Sequence, residues 1–205
     1  MRFKLLVLIL FITTYSFGQN NKLIKNKIYF EKELSAWKKT FSKFNISNFI
    51  ISDTLSFENN NEQDFENYKQ FIKVYKPIIT YSSDSAKFID IYSYQLNLEK
   101  KLDYYQTNIE IDQGIFLFDK NKNYWKRIYF SGTSDGWIEE VVWVSKNEFF
   151  LLGIEKNDKE KRLPVIILGN LDSKKLVIYK TKINNCFQTI RYESAKLKKM
   201  KIKGL

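Results

Sequence analysis

The stretch Ile115-Phe-Leu-Phe-Asp-Lys-Asn-Lys-Asn-Tyr-Trp-Lys-Arg-Ile-Tyr129 decides the fold class. Two runs rich in aromatic and β-branched residues flank the polar segment Asp119 to Asn123, which is a hairpin signal. Working outward, the same punctuation recurs. Trp137 to Val144 and Glu148 to Ile154 flank Ser145-Lys146-Asn147, and Leu163 to Leu168 and Lys175 to Tyr179 flank Asp172-Ser173-Lys174. Upstream, Phe88, Ile89, Ile91, Tyr92 and Tyr94, with Leu96 and Leu98 beyond, read as one long strand. Phe187 to Tyr192 reads as a last strand. Residues 79–195 are therefore expected to form an antiparallel β-meander.

Before Pro77 the period changes. Leu34, Trp37, Phe41 and Phe44 are spaced by 3, 4 and 3, so Glu31 to Phe44 reads as an amphipathic helix. Phe49 to Ser52 is a short apolar run, read as a strand. Phe65, Tyr68, Phe71, Ile72 and Tyr75 repeat the helical stripe over Glu62 to Tyr75. Pro77 stops that helix, because proline disfavours helical geometry at the preceding residue. Residues 19–78 thus read as a helical N-terminal segment, and the whole as an α+β fold.

The hairpins also repeat. Ile115 to Tyr129 parallels Val165-Ile-Ile-Leu-Gly-Asn-Leu-Asp-Ser-Lys-Lys-Leu-Val-Ile-Tyr179, and the strands before them match as Lys87 to Tyr92 and Glu148 to Gly153. Over residues 79–181 this resembles two blades of a β-propeller. Two such units do not close a ring, which takes about four.

The first residues carry a different signal. Arg2 and Lys4 precede eight apolar residues, Leu5 to Ile12, and Ser16-Phe17-Gly18 places small residues before Gln19. That is the layout of a signal peptide spanning residues 1–18, cleaved after Gly18. The apolar run falls well short of the ~20 residues a spanning helix needs. The ending Ser16-Phe17-Gly18-Gln19 resembles the export signals of Bacteroidetes-type proteins. The resemblance implies export to the periplasm or beyond the cell.

Composition removes whole classes of chemistry. The chain of 205 residues has no histidine and one cysteine, Cys186. Histidine-based triads, Cys-His dyads and imidazole metal sites are excluded, as are an internal disulfide and a multi-thiolate zinc site. Hydrophobic residues at 44% place the chain outside the disordered class despite a net charge of +11. The charge suits anionic partners. However, lysines are spread along the chain and alternate with acids, as in residues 155–162, a pattern of solvated loops.

Motifs for catalysis are sparse. Asp119-x-Asn121-x-Asn123 opens like a calcium loop, but Tyr124 and Phe130 stand where glycine and glutamate belong, so it reads as a hairpin turn. No phosphate-cradling glycine loop is present. Residues 132–140, Gly-Thr-Ser-Asp-Gly-Trp-Ile-Glu-Glu, gather glycines, a tryptophan and three carboxylates. Here Asp135 is the candidate acceptor, Trp137 the stacking platform and Glu139 a second acid for a ligand. Glu139 and Glu140 are adjacent on a strand, so they are expected to face opposite sides. No catalytic residue, metal ligand or cofactor is assigned. Tyr92 and Tyr94 read as strand residues on a half-buried face.

Lys196, Lys198, Lys199, Lys201 and Lys203 make 196–205 a basic tail suited to weak contact with anionic membrane. The function expected is an exported, non-enzymatic module that binds an envelope protein or glycan and not nucleic acid. Two alternatives stand beside it: a carboxylate-dependent hydrolase acting on glycans, and a peripheral membrane-surface protein.

Overall fold

The structure, a computed structural model, describes residues 22–132, 136–183 and 185–204. Among the described residues it is built mostly of antiparallel sheet, with few short helices and no closed barrel. The expected β-rich, antiparallel architecture is present. The expected helical N-terminal segment is much reduced, because α1 (Lys27–Glu31) and α2 (Ser35–Lys38) are little more than single turns.

The first sheet joins β1 (Phe49–Ser56) to the hairpin strands β9 (Gly136–Trp143), β10 (Glu148–Lys156), β11 (Arg162–Asn170) and β12 (Lys175–Thr181), in the order β1-β12-β11-β10-β9. The second combines β2 (Glu62–Asp64), β3 (Thr80–Tyr81), β4 (Lys87–Asp90), β7 (Gln113–Asp119) and β8 (Tyr124–Ser131), in the order β2-β8-β7-β4-β3. A small third sheet pairs β5 (Leu96–Lys100) with β6 (Tyr105–Ile109), and β6 with β13 (Ile202–Lys203).

Strand alternation explains the layering. Phe149, Phe150, Leu151 and Leu152 of β10 all have 0% exposure. Phe149 and Leu151 point toward the second sheet and join Ile89, Ile115, Leu117, Ile138 and Ile167 in the central cluster. Phe150 and Leu152 point the other way, where Phe30, Leu34, Trp37 and Phe41 cover them. A strand buried on both faces reads as a continuous apolar run, and each such side chain contributes roughly 1.5–3 kcal/mol by burial. The outer face of the second sheet is covered by α3 (Tyr68–Tyr75), whose Phe71 and Ile72 pack with Phe65 over Phe88 and Phe118.

Several elements differ from the sequence reading. The stripe Leu34, Trp37 and Phe41 is buried as its spacing demands. Its backbone, however, leaves the helix after Lys38, because Phe41 bridges to Gln188 and the Ser42 N–H donates to the Phe187 carbonyl. Residues 187–192 supply only that bridge and no strand. Glu62 to Asp64 pairs with β8 and is strand, so the helix starts at Tyr68. The long strand over residues 88–98 breaks after Asp90. Its buried carboxylate accepts the Tyr92 and Ser93 backbone N–H groups at 2.9 and 3.0 Å and turns the chain into β5. Tyr92 and Tyr94 therefore do not share a strand face. At the 119–123 turn the Asp119 carboxylate accepts the Asn121 and Lys122 N–H groups, with Asn123 at φ 51°. This is a hairpin turn, as expected.

The basic C-terminal residues fold back onto the protein. After α4 (Ala195–Lys198), Leu197, Met200 and Ile202 pack against the central cluster. Lys196 pairs with Glu140 at 3.2 Å and Lys198 with Glu193 at 3.3 Å, and the Lys203 ammonium sits 3.9 Å from the Tyr104 ring centroid.

Strands β9 and β10 approach closely at two glycines. A Cβ on Gly153 would lie 2.2 Å from the Trp137 carbonyl oxygen, and one on Gly136 would lie 2.1 Å from that of Ile154. Backbone cannot step aside as a flexible side chain can. Gly153→Ala is expected to cost about 1–3 kcal/mol, the usual cost of overpacking, read as a lower urea midpoint.

Candidate functional site

The site begins with a β-bulge. In the β9–β10 ladder Glu140 pairs with Leu152 and Ile138 pairs with Gly153, which leaves Glu139 as the extra residue. A bulge suspends the strict alternation of a strand. The expected divergence of Glu139 and Glu140 to opposite sides therefore lapses here, and both carboxylates are gripped by the segment that follows β12.

Glu139 is buried, with 6% exposure. Its Oε2 accepts the Trp37 indole N–H at 2.8 Å, and the Gln188 side-chain amide donates to both oxygens at 3.0 and 3.1 Å. Burial pushes its pKa up to about 7, and the hydrogen bonds from Gln188 and Trp37 and the charges of Arg162 and Arg191 restrain the rise. Glu140 accepts from the Tyr192 and Ser194 hydroxyls, each at 2.9 Å, and from the Lys196 ammonium at 3.2 Å. Tyr92 is also buried, and its hydroxyl donates to the Glu139 carbonyl at 3.3 Å. Burial raises the pKa of Tyr92 and of Tyr192, and the Glu140 charge adds to both.

Gln113, buried on β7, fixes the bulge from the second sheet. Its amide donates to the carbonyls of Ile91 and Ile138, each at 2.9 Å, and its oxygen accepts the Ile138 N–H at 2.7 Å. A fully satisfied amide of this kind rigidifies its surroundings.

Above the bulge lies a cleft of about 340 Å³, lined by Tyr92, Trp137, Glu139, Arg191, Tyr192 and Leu197 among others. Trp137 is half-buried, and the Arg162 guanidinium stands 5.1 Å from its ring centroid. Arg191 is exposed at the rim and makes no ion pair among the described residues. The cleft thus offers aromatic walls and the Arg191 cation; of its two lining carboxylates, Glu139 is supplied with donors and Glu193 is paired with Lys198.

Of the residues singled out by sequence, Trp137 and Glu139 meet at this cleft, while Asp135 lies outside the described residues. Trp37, Gln188, Tyr192 and Arg191 escaped the sequence reading. Trp37 carried one signal: a buried indole N–H needs an acceptor, which an apolar stripe alone does not reveal. Gln188 carried none. Cys186 is buried beside this region, and burial pushes its thiol pKa up to about 11. No helix among the described residues is long and apolar enough to cross a membrane. No protein-family model, curated protein or solved structure matches the chain.

Proposed function

We propose that the protein is an exported, non-enzymatic binding module of the bacterial envelope, periplasmic or extracellular, that recognises an envelope protein or glycan through the cleft beside Trp137. One observation carries this reading. Of the two carboxylates that line the cleft, Glu139 is engaged by Trp37 and Gln188 and Glu193 is paired with Lys198 at 3.3 Å, while Trp137, Tyr192 and the Arg191 cation remain turned to the cleft. Glycoside hydrolysis needs an acid and a second carboxylate that both face the substrate. A carboxylate holding two or three internal donors is built to position a wall of the site.

Export rests on the layout of residues 1–19, which is similar to Bacteroidetes-type signals. The same reading takes the two five-stranded sheets as blade-like units of an α+β fold that begins with helices, and the corresponding hairpins β7–β8 and β11–β12 support it.

The test is affinity capture from the native envelope fraction with the wild-type protein, Trp137→Ala and Arg191→Gln as baits. Arg191 is exposed, and glutamine keeps its length without placing a second negative charge beside Glu139. The expected result is a protein or glycan retained by wild type and lost from both variants. Equal retention by all three would overturn the assignment of the cleft.

A further inference from the structure

The outer face of the second sheet is covered over only part of its area. Phe65 and α3 hide Phe88 and Phe118 and Trp125 stands at the edge of that cover, whereas Phe116 and Arg127 lie beyond it. There a groove of about 510 Å³ opens, with Tyr94, Phe116 and Trp125 as its floor and Asn59, Asn61 and Gln63 along its rim. The volume falls within the roughly 300–1,000 Å³ typical of small-ligand sites.

The floor is held rigid. Phe116 and Trp125 stack with centroids 4.5 Å apart at 24°, and Trp125 stacks in turn on Phe65 at 5.5 Å and 22°. Gly114 makes room for the third ring: a Cβ there would meet the Phe116 ring at 2.8 Å and the Tyr94 ring at 3.1 Å. The rim is positioned too. Gln63 pairs with Trp125 across β2 and β8, and Asn60 donates its amide to the Arg127 carbonyl at 2.6 Å, fixing the asparagine loop against β8.

The charge balance is specific. Glu58 is paired with Lys174 at 3.2 Å and Glu62 with Lys126 at 3.3 Å. Arg127 alone among the groove's lining residues is charged, and it has no ion-pair partner among the described residues. It is exposed and rests 5.1 Å from the Phe130 ring centroid.

We infer that this groove binds a carboxylated saccharide, with the sugar ring lying against the exposed Tyr94 ring beside the Phe116–Trp125 stack, its hydroxyls on the asparagine and glutamine amides, and its carboxylate on Arg127. Each part follows from chemistry. The negative faces of aromatic rings attract polarised C–H groups, which a pyranose presents on one side. Side-chain amides both donate and accept, matching vicinal hydroxyls. A guanidinium takes a carboxylate through two parallel N–H groups. The groove is separate from the cleft at Glu139 and does not rest on the reading given to it.

The test is calorimetric titration of the purified protein with uronic-acid-containing oligosaccharides of two to four sugars, each matched by its carboxyl-reduced neutral analogue. At least one acidic member is expected to bind, with the neutral analogue at least tenfold weaker. Arg127→Gln is expected to weaken the acidic ligand at least tenfold, and Asn61→Ala several-fold. Both residues are exposed, so these variants report on binding where Trp125→Ala would disturb the core. Trp137→Ala is expected to leave this affinity unchanged, which separates the groove from the cleft. Failure of every acidic member to bind, equal affinity for a neutral analogue, or undiminished binding by Arg127→Gln would each overturn the inference.

Discussion

Replacing Trp37 by alanine is expected to lower the unfolding free energy by about 4–5 kcal/mol. Trp37 is the largest side chain with 0% exposure, so truncation leaves a cavity, and large aromatic truncations in cores cost about 3–5 kcal/mol. Its indole also supplies one of the donors to the buried Glu139 carboxylate. Removing it leaves a buried acceptor short of a partner, worth about 1–3 kcal/mol when nothing replaces it. Natural domains hold about 5–15 kcal/mol in total, so this variant stands near the edge of folding. Trp37→Phe separates the two contributions, since it keeps most of the apolar volume and loses only the N–H donor. Urea denaturation of both is the check. Trp37→Phe is expected to lose about 1–3 kcal/mol, and wild-type stability there would show that the indole–carboxylate bond contributes nothing.

Stability is also expected to fall as pH rises through neutrality, and Glu139 sets the window. Burial holds its folded-state pKa at about 7, against an ordinary value of 4.5. Between those values the folded protein retains a proton that the unfolded chain has lost. The stabilisation is fully present below pH 4.5 and is lost as pH rises through 7, where the buried carboxylate must ionise. At about 1.4 kcal/mol per pK unit, the change amounts to about 3 kcal/mol. Burial moves the Asp90 carboxyl in the same direction, whereas hydrogen bonds lower Asp84 and Glu148 on the surface. The difference between wild type and Glu139→Gln isolates the one group. Thermal unfolding from pH 4 to 9 is expected to show the two curves converging in slope outside the window and diverging within it. Parallel curves throughout would remove Glu139 from the pH dependence.

The three hairpins were legible because each is local: an apolar run, a few polar turn residues, and a second run, all within about fifteen residues. The bulge was not legible, since it is a relation between Glu139 and Leu152–Gly153 that appears only when two strands are laid in register. The turn at Asp90 was missed for a similar reason. An aspartate inside an alternating run reads as an outward strand position, and only its burial against the Tyr92 and Ser93 amides reveals a turn former. The helical stripes told correctly which residues are buried but overstated helix length. Pairing of Glu62–Asp64 with β8 and of Phe41 with Gln188 overrode local propensity. The site was half legible. Trp137 and Glu139 stood out in an unusual local sequence, whereas Trp37 and Gln188 reach Glu139 from 102 and 49 residues away.

Glu139 shapes the wall of the proposed binding cleft and is expected to perform no hydrolysis. The decisive measurement incubates wild type and Glu139→Gln with labelled envelope glycans at neutral pH and follows product release and ligand retention together. No product from either protein and the same retention by both are expected. Product released by wild type and abolished in Glu139→Gln would overturn the proposed function.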